Sequence, residues 1–242
     1  MIKNVILALL MVFSMANVWA ASDAETKAKI RAALTPIMPQ GPDSIEPSIV
    51  PGLYEVTSGA QVFYVSPDGT YFFQGDVYNI KTRENVTDTK RAGGRKKIID
   101  AVDPSSMIVF SPKEVKHSIT VFTDIDCGYC RKMHAEMDAY LNAGIEIRYL
   151  AYPRSGLNTP SYDKAVAVWC ADDKKGAITK AKAGIQVAKP ATECPNPVAD
   201  HFRLGGAIGV SGTPTLVMKS GKVIPGYVPA ARLLTELEKD KL

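Results

Sequence analysis

Apolar and β-prone residues divide the first third of the chain into a short helix and a series of strands. Residues 22–34 are rich in Ala, Lys and Glu, and Pro36 and Pro39 follow them, so this segment predicts a short helix. The β-prone runs lie at 53–56, 61–65 and 71–73. A Pro-Asp-Gly turn at 67–69 separates the last two runs. The pattern predicts a small α+β unit with one helix and an antiparallel meander.

From Met107 onwards, strand patterns and helix patterns alternate. The strand-like runs 119–122 and 145–150 lie on either side of a helical pattern at 130–141. A strand-helix-strand order of this length implies two parallel strands joined by a crossover helix. Further patterns predict two helices, a hairpin and a final helix, at 165–170, 199–204, 215–224 and 230–237. The second part of the chain is therefore predicted to be an α/β domain.

A basic segment lies between these two parts. Residues 81–97 contain seven Lys or Arg, two acidic residues and the pair Gly93-Gly94. We interpret the region 81–102 as a linker that is partly helical and softened at the two glycines, since each Gly costs about 1 kcal/mol of helix stability relative to Ala. A solvated basic face is the preferred interpretation of its charge, and a binding patch is the alternative.

The first twenty residues have the features of a secretory signal peptide. Lys3 precedes the apolar run 5–13, and a small-residue cleavage region ends at Ala20. The apolar run is shorter than the ~20 residues that a membrane-spanning helix needs, so an uncleaved anchor is the less favoured alternative. Removal of the signal peptide takes away Lys3 and lowers the formal net charge from +4 to +3. A net charge of +3 is too small to indicate a nucleic-acid partner. We expect an exported protein that is not inserted in a membrane.

The chain has four cysteines, Cys127, Cys130, Cys170 and Cys194, which are too few for a small disulfide-rich scaffold. In an oxidising compartment an even number suggests two bridges, and four cysteines allow three pairings. The CxxC spacing favours Cys127 with Cys130, which leaves Cys170 with Cys194. The first pair is predicted to take part in chemistry, and the second is predicted to be a structural disulfide.

The CxxC motif lies where a predicted strand gives way to a predicted helix. The first turn of a helix directs unpaired N–H groups and partial positive charge towards a sulfur placed there, which lowers a thiol pKa. Cys130 begins a helical stripe with Met133 and Met137, so we expect it to be buried, while Cys127 faces solvent. Cys127 is thus the expected attacking thiolate and Cys130 the resolving thiol. A structural zinc half-site is disfavoured because no second CxxC or CxxH follows, and no metal is predicted.

Three charged or titratable neighbours accompany the motif. Asp124 and Asp126 would oppose formation of a Cys127 thiolate, and we expect them to cap the helix or point into water. His134 is expected at the surface, with a general base as the less favoured alternative.

Thr213-Pro214 precedes a β-rich run, where a proline is tolerated at the first position of a strand.

Four motifs together resemble the bacterial periplasmic disulfide isomerases, the DsbC/DsbG family of the thioredoxin superfamily. They are TDIDCGYC at 123–130, RYLAYPR at 148–154, GVSGTP at 209–214 and PGY at 225–227. An isolated CxxC is only moderately specific, whereas four motifs in order at this spacing are strongly so. The resemblance covers essentially the whole chain after the signal peptide.

The resemblance implies a fold, a site and a set of partners. The implied fold is a thioredoxin-like α/β catalytic domain with a helical insertion at 103–242, after a linker helix at 81–102, a small α+β dimerisation domain at 21–80 and a signal peptide at 1–20. Cys127 and Cys130 would be the redox pair, Thr213 and Pro214 the cis-proline loop that binds substrate, and Cys170 with Cys194 a structural disulfide. No cofactor is implied.

The same resemblance implies a periplasmic homodimer whose catalytic domains face a cleft that holds misfolded exported proteins. A DsbD-like membrane reductase would keep its CxxC reduced. A DsbG-like reductase of sulfenylated cysteines is one alternative, and Gly128-Tyr129, with no proline between the cysteines, favours the isomerase instead. A non-catalytic, chaperone-like binding protein is another alternative. Loss of exchange activity in a Cys127→Ala variant would exclude this last possibility.

Overall fold

The computed structural model describes residues 22–190, 192 and 194–240. The chain divides into two compact units, with the boundary between Thr87 and Asp88. The predicted signal peptide at 1–20 lies outside the described residues. No helix in the described ranges combines the length and the apolar character needed to cross a lipid bilayer.

The first unit contains helix α1 at 22–34 and a four-stranded antiparallel sheet in the order β1-β2-β3-β4. The strands are β1 Ser44–Pro47, β2 Tyr54–Ser58, β3 Gln61–Val65 and β4 Phe72–Phe73. The predicted helix and meander are confirmed. Strand β1 was not predicted, because a Ser-Ile-Glu-Pro segment has a single apolar residue and a terminal proline.

A small apolar core holds this unit together. Ile30 and Leu34 of α1 pack against Ile45, Val56 and Val65 of the sheet, and all five are buried. The apolar residues of α1 recur at the four-residue spacing of one helix face. At the other side of the sheet, the edge strand β4 leaves Phe72 and Phe73 exposed.

Helix α2, Val86–Asp100, runs without interruption through Gly93 and Gly94, where the sequence indicated a weak point. From Asp88 onwards it belongs to the second unit. Arg95 is buried there, where it forms an ion pair of 2.7 Å with Asp88 and donates a hydrogen bond of 3.2 Å to the carbonyl oxygen of Ile208. These contacts offset the low helix propensity of the two glycines.

The second unit contains a five-stranded sheet in the order β5-β7-β6-β8-β9. Its strands are β5 Ile108–Phe110, β6 His117–Thr123, β7 Ile145–Ala151, β8 Thr215–Val217 and β9 Val223–Pro225. Strands β6 and β7 are parallel, and the other neighbouring strands are antiparallel. The predicted crossover and the predicted hairpin are therefore confirmed.

Helices cover this sheet and connect its strands. They are α3 Gly128–Ala135, α4 Met137–Asn142, α5 Pro160–Trp169, α6 Lys174–Lys182, α7 Val198–Ile208 and α8 Ala230–Lys239, with a 3-10 turn at Pro104–Ser106. The helix predicted at 130–141 is divided at Glu136 into α3 and α4. Helix α6 was not predicted, because it is short and rich in lysine.

Two glycines allow elements of the second unit to approach closely. A Cβ atom on Gly205 of α7 would lie 2.5 Å from the ring of Tyr152. Gly221, in the hairpin between β8 and β9, has a φ of +87°, and a Cβ atom there would lie 1.9 Å from the carbonyl oxygen of Ala92. Only glycine fits at these two contacts without displacement of the neighbouring element.

Candidate active site

Cys127 lies at the junction between strand β6 and helix α3. It is the N-cap residue of α3, and its side chain makes no capping hydrogen bond. Only 3% of Cys127 is exposed, so the expectation that it faces solvent is wrong. Its thiol donates to the carbonyl oxygen of Thr213 at 3.2 Å, and the loop around Thr213 covers it. Helical periodicity could not show this cover, because Thr213 lies 86 residues away in the chain.

The surroundings of Cys127 favour its thiolate. Burial raises the pKa of this thiol, but the side chain of Thr213, the backbone N–H and thiol of Cys130, and the charge of Arg154 outweigh that effect. The pKa of Cys127 is therefore lowered from its ordinary value. The N–H of Cys130 belongs to the first turn of α3, where backbone donors have no partner within the helix. A thiolate at the N-cap position supplies that partner.

Cys130 is 1% exposed, and its predicted place on the buried face of the helix is confirmed. Burial raises the pKa of its thiol above the ordinary value, although the charge of Lys182 and the side chains of Thr123 and Thr213 act in the opposite direction. The two cysteines of the motif therefore differ in acidity. Cys127 is suited to attack a disulfide, and Cys130 is suited to remain protonated until it is needed.

The loop that covers the motif contains a cis peptide bond between Thr213 and Pro214. The carbonyl oxygen of Pro214 accepts a hydrogen bond of 2.8 Å from the N–H of Gly226, which ties this loop to the PGY segment. Among the described residues, the hydroxyl of Thr213 is the only buried side-chain N or O atom without a hydrogen-bond partner. It influences both sulfurs of the motif, because the Thr213 side chain lowers the pKa of each thiol.

Asp124 has a different role from the cap or solvated carboxylate that we expected. It is 3% exposed, and its two oxygens accept four hydrogen bonds. The donors are the N–H of Asp126 at 2.8 Å, the hydroxyl of Ser161 at 2.9 Å, and the N–H and Nε of Arg154 at 3.0 and 3.1 Å. Burial raises the pKa of Asp124, yet these hydrogen bonds lower it overall. A buried, ionised Asp124 thus fixes the loop before Cys127 and holds Arg154 near the motif.

Asp126 is more exposed, and two cations compensate its charge. Its carboxylate forms ion pairs with Lys164 at 2.8 Å and with Arg131 at 3.3 Å. Arg131 also donates through Nε to the carbonyl oxygen of Ile125 at 2.8 Å. The repulsion that we expected between Asp126 and a Cys127 thiolate is therefore offset by two positive side chains on α3 and α5.

His134 is buried, so the expectation of a surface histidine is wrong. Its Nδ1 lies 3.3 Å from the hydroxyl of Tyr149, and its Nε2 lies 2.9 Å from the hydroxyl of Thr179. Burial lowers the pKa of His134 to about 4, and the charge of Lys182 adds to this effect. Thr179 and Lys182 belong to α6, the helix that was not predicted, so the sequence pattern of α3 alone gave no sign of this cover.

Lys182 is the residue near the motif that the sequence analysis missed. It is 5% exposed and lies on the same buried face of α6 as Ala177, Ile178 and Ala181. The signal in the sequence is this position, since a lysine at helical spacing from three small or apolar residues points towards a core.

Cys170 and Cys194 are joined by a disulfide with an S–S distance of 2.09 Å and a Cα–Cα distance of 6.1 Å. Cys170 is the C-cap residue of α5, and Cys194 lies in the segment before α7. The bridge spans 24 positions of sequence that include the whole of α6. Among the described residues there is no group of three or more His, Cys, Asp or Glu side chains arranged to hold a metal ion.

Comparison with known proteins gives consistent matches for both parts of the chain. A family model described as a thioredoxin-like domain matches residues 104–241. A second, described as the disulfide bond isomerase protein N-terminal domain, matches residues 20–88. Together the two models match most of the chain, including the α+β unit and the domain that contains the CxxC motif.

Individual relatives support the same assignment. The thiol:disulfide interchange protein DsbC of Escherichia coli (strain K12) is 40% identical over 195 residues, which cover 81% of this chain and 80% of the relative. The DsbC protein of Dickeya dadantii is 35% identical over 239 residues, which cover 99% of this chain and 96% of that protein. The crystal structure of a disulfide interchange protein from Neisseria gonorrhoeae is 28% identical, with a TM-score of 0.50, and the match covers 57% of this chain and 97% of that one.

The arrangement of a free CxxC pair at the start of a helix, covered by a cis Thr-Pro loop in an α/β domain, agrees with these matches. The fold is thioredoxin-like with a helical insertion, and the activity is thiol-disulfide exchange. The chain belongs to the DsbC family of thiol:disulfide interchange proteins.

Proposed function

We propose that this protein reduces and isomerises incorrect disulfides in exported proteins, through a reduced Cys127–Cys130 pair. The observation that carries the proposal is a free CxxC pair whose first sulfur lies at the N-cap of α3 beside the cis-proline loop and whose second is buried in that helix. These surroundings lower the pKa of the Cys127 thiol and raise that of Cys130. An exchange catalyst needs a first sulfur that ionises readily and a second that stays protonated until the release step.

The reaction begins when the Cys127 thiolate attacks one sulfur of a client disulfide. A bond forms between Cys127 and that sulfur, and the other client sulfur leaves as a thiolate with the electron pair of the broken bond. In isomerisation, the client thiolate attacks a second client disulfide, and the thiolate released there attacks the client sulfur bonded to Cys127, so that Cys127 leaves as a thiolate. In reduction, Cys130 attacks the sulfur of Cys127, so the client leaves with two thiols and the motif becomes a disulfide.

Client binding is proposed to involve the backbone of the cis-proline loop. The carbonyl oxygen of Thr213 lies 3.2 Å from the sulfur of Cys127, so a segment bound at this loop would place its own sulfur beside the nucleophile. Hydrogen bonds between backbones do not depend on side-chain identity, which suits an enzyme with many clients and a chaperone-like mode of binding. Tyr129, exposed beside the motif and stacked on Tyr227, adds an aromatic surface at the same place.

We further propose that the protein is a homodimer formed through its N-terminal unit. Edge strand β4 exposes Phe72 and Phe73, and Tyr71, Tyr78 and Ile80 nearby are also exposed. An exposed apolar edge of this kind is a surface that pairs with another chain. The expected mass at micromolar concentration is that of a dimer, and Phe72→Lys/Phe73→Lys should convert it to a monomer. A monomeric wild-type protein would contradict this part of the proposal.

The proposed location is the periplasm, after cleavage of the signal peptide. A DsbD-like membrane reductase would supply the electrons that return an oxidised Cys127–Cys130 pair to two thiols. This step is needed after each reductive cycle and is not needed after pure isomerisation.

The test is the refolding of a scrambled multi-disulfide protein by wild type, Cys127→Ala and Cys130→Ala. We expect rapid recovery of the native client with wild type and only the background rate with Cys127→Ala, because the attacking sulfur is absent. Cys130→Ala should keep part of the isomerase activity and lose the reductase activity. Full activity of Cys127→Ala would overturn the proposal.

A further inference from the structure

Lys182 is a buried lysine that the exchange reaction described above does not use. Lysine is almost never fully buried unless its ammonium group is paired, since transfer of a charge out of water is costly. Here the side chain is 5% exposed, in the last turn of α6, on the face that packs into the domain. A residue kept there at such a cost needs an explanation.

The contacts of Lys182 lead towards the CxxC motif. Its Nζ atom donates a hydrogen bond of 2.8 Å to the hydroxyl oxygen of Thr123, the last residue of β6. It also lies 3.5 Å from the carbonyl oxygen of Asp124 and 5.4 Å from the centroid of the Tyr149 ring. These contacts are to neutral groups. Burial accordingly lowers the pKa of Lys182 to about 8, although the negative charges available at Cys130 and Asp124 act against this shift.

Thr123 connects Lys182 to the resolving thiol. Its hydroxyl oxygen accepts from Lys182, so its hydrogen remains available to another acceptor. The side chain of Thr123 lowers the pKa of Cys130, as does the charge of Lys182, against the larger effect of burial. Lys182 and Thr123 are therefore two buried neighbours that favour a thiolate at Cys130.

We propose that Lys182 is a positioning residue for the release step: its buried ammonium group, hydrogen bonded to the hydroxyl of Thr123, stabilises the thiolate that Cys130 must form. The proposal rests on the assignment of Cys130 as the resolving thiol in the proposed function. Lys182 remains an ammonium group throughout, and the proton of the Cys130 thiol passes to water as the thiolate forms. The Cys130 sulfur then bonds to the sulfur of Cys127, the Cys127–client bond breaks, and the client thiolate takes a proton from water.

The pH dependence of this step depends on every charged or titratable group that faces Lys182. Helix α3 and its N-cap supply the two cysteines, a cation and a neutral histidine, and the loop before them supplies a carboxylate. Helix α4 supplies a carboxylate that lines the same cavity as Lys182, and β7 supplies a tyrosine. These groups are Cys127, Cys130, Arg131, His134, Asp124, Asp138 and Tyr149. All of these groups surround the buried ammonium group of Lys182.

The release step can be observed by itself with an aromatic disulfide reagent whose released thiolate absorbs visible light. Reduced protein attacks the reagent through Cys127 and releases one aromatic thiolate, and attack by Cys130 on the mixed disulfide then releases a second. Stopped-flow traces over a range of pH give the rate of each phase. The variants are Lys182→Met, Thr123→Val, the double variant, and Lys180→Met as a control on the exposed face of the same helix.

We expect Lys182→Met to move the pH midpoint of the second phase upwards by about one unit, which slows this phase about tenfold near neutral pH. The first phase should change by less than about twofold, since Thr213, Cys130 and Arg154 favour the Cys127 thiolate. Thr123→Val should reproduce the effect, and the double variant should add little, because the two groups act together through their hydrogen bond. Lys180→Met should match wild type in both phases.

A lysine with a merely structural role would alter the urea midpoint without moving the pH midpoint of the second phase. An unchanged pH midpoint in folded Lys182→Met overturns the proposal. If that variant does not fold, an unchanged midpoint in Thr123→Val overturns it equally. Absence of any second phase in wild type would instead contradict the assignment of Cys130 in the proposed function, so the two failures are distinguishable.

Discussion

The two cysteine pairs of the catalytic domain are chemically identical in sequence and different in structure. Cys127 and Cys130 are both buried, unbonded and surrounded by groups that shift their pKa values in opposite directions. Cys170 and Cys194 are bonded to each other across 24 positions. The comparison shows that position decides the role of a cysteine here, since a helix N-terminus, an Arg and a Thr side chain make the first pair reactive.

The two pairs are also connected. The loop closed by Cys170 and Cys194 contains α6, and α6 carries Thr179 and Lys182 to the neighbourhood of Cys130 and His134. A disulfide remote in sequence from the motif thus holds the helix that tunes it. Cysteine substitutions in one pair can therefore be compared with matched substitutions in the other.

The largest effect is expected when one cysteine of a pair is replaced, so that the other is left without its partner. In Cys130→Ala the mixed disulfide between Cys127 and a client cannot be resolved, so these covalent adducts should accumulate. In Cys194→Ala the remaining Cys170 has no helix N-terminus to activate it, because it lies at the C-terminus of α5, and few adducts are expected. Non-reducing electrophoresis with antibody detection measures both. Comparable adduct levels in the two variants would remove the distinction between the pairs.

The next effect concerns stability. Removal of the bridge in Cys170→Ala/Cys194→Ala should lower the free energy of unfolding by about 3 kcal/mol, because the unfolded chain regains the freedom of the closed loop. Cys127→Ala/Cys130→Ala is the matched control, and its change should be much smaller. Urea unfolding of the reduced and oxidised proteins gives both values. Equal stability of wild type and the bridge variant would contradict a structural role.

A smaller change in stability is expected for Asp124→Asn, which replaces the carboxylate that accepts four hydrogen bonds beside Cys127. The cost should be about 1–3 kcal/mol, as is typical for a buried polar group that loses its match. The pKa of Asp124 is lowered in the folded protein, so the carboxylate stabilises the fold above the unfolded pKa of about 4. That contribution is lost as the pH falls further.

Urea unfolding of wild type and Asp124→Asn at neutral and acidic pH checks this sign. The difference between the two proteins should be largest at neutral pH and shrink below about pH 4. Ser155→Ala is a suitable control, because Ser155 has an exposed side chain in the loop after β7. A difference that grows on acidification would show that Asp124 is not ionised in the folded protein.

The smallest effect is expected at His134. Its pKa is lowered to about 4 by burial, so the unfolded chain takes up a proton first when the pH falls below about 6.5. Stability should therefore decrease between pH 6.5 and 4, and His134→Gln should remove about 1 kcal/mol of the decrease between neutral pH and pH 5.5. His117→Gln, on the partly exposed first residue of β6, provides the comparison. An identical pH dependence in wild type and His134→Gln would contradict a neutral, buried His134.

The sequence was sufficient to predict the elements with strong periodicity and the cysteines of the site. The meander, the parallel β6–β7 pair, the buried Cys130 and the α/β class all follow from local patterns. The bounds of α5 and α7 were predicted too short, since their ends depend on caps such as Thr159 rather than on apolar spacing.

Features that depend on distant contacts were beyond local patterns. Burial of Cys127 comes from Thr213, and burial of His134 comes from α6, whose lysine-rich sequence gave no helix prediction. The ionised interior position of Asp124 depends on Arg154 and Ser161, which lie 30 and 37 positions away. In each case the deciding neighbour belongs to another element, so periodicity within one segment cannot reveal it.

The oxidation state of the four cysteines in the cell tests most directly whether the two pairs have different roles. Cells are quenched in acid, free thiols are alkylated, and the protein is digested and analysed by mass spectrometry. We expect alkylated Cys127 and Cys130 together with an intact Cys170–Cys194 bridge, because an isomerase must present a reduced motif beside a stable structural disulfide. A predominant Cys127–Cys130 disulfide, or alkylated Cys170 and Cys194, would contradict it.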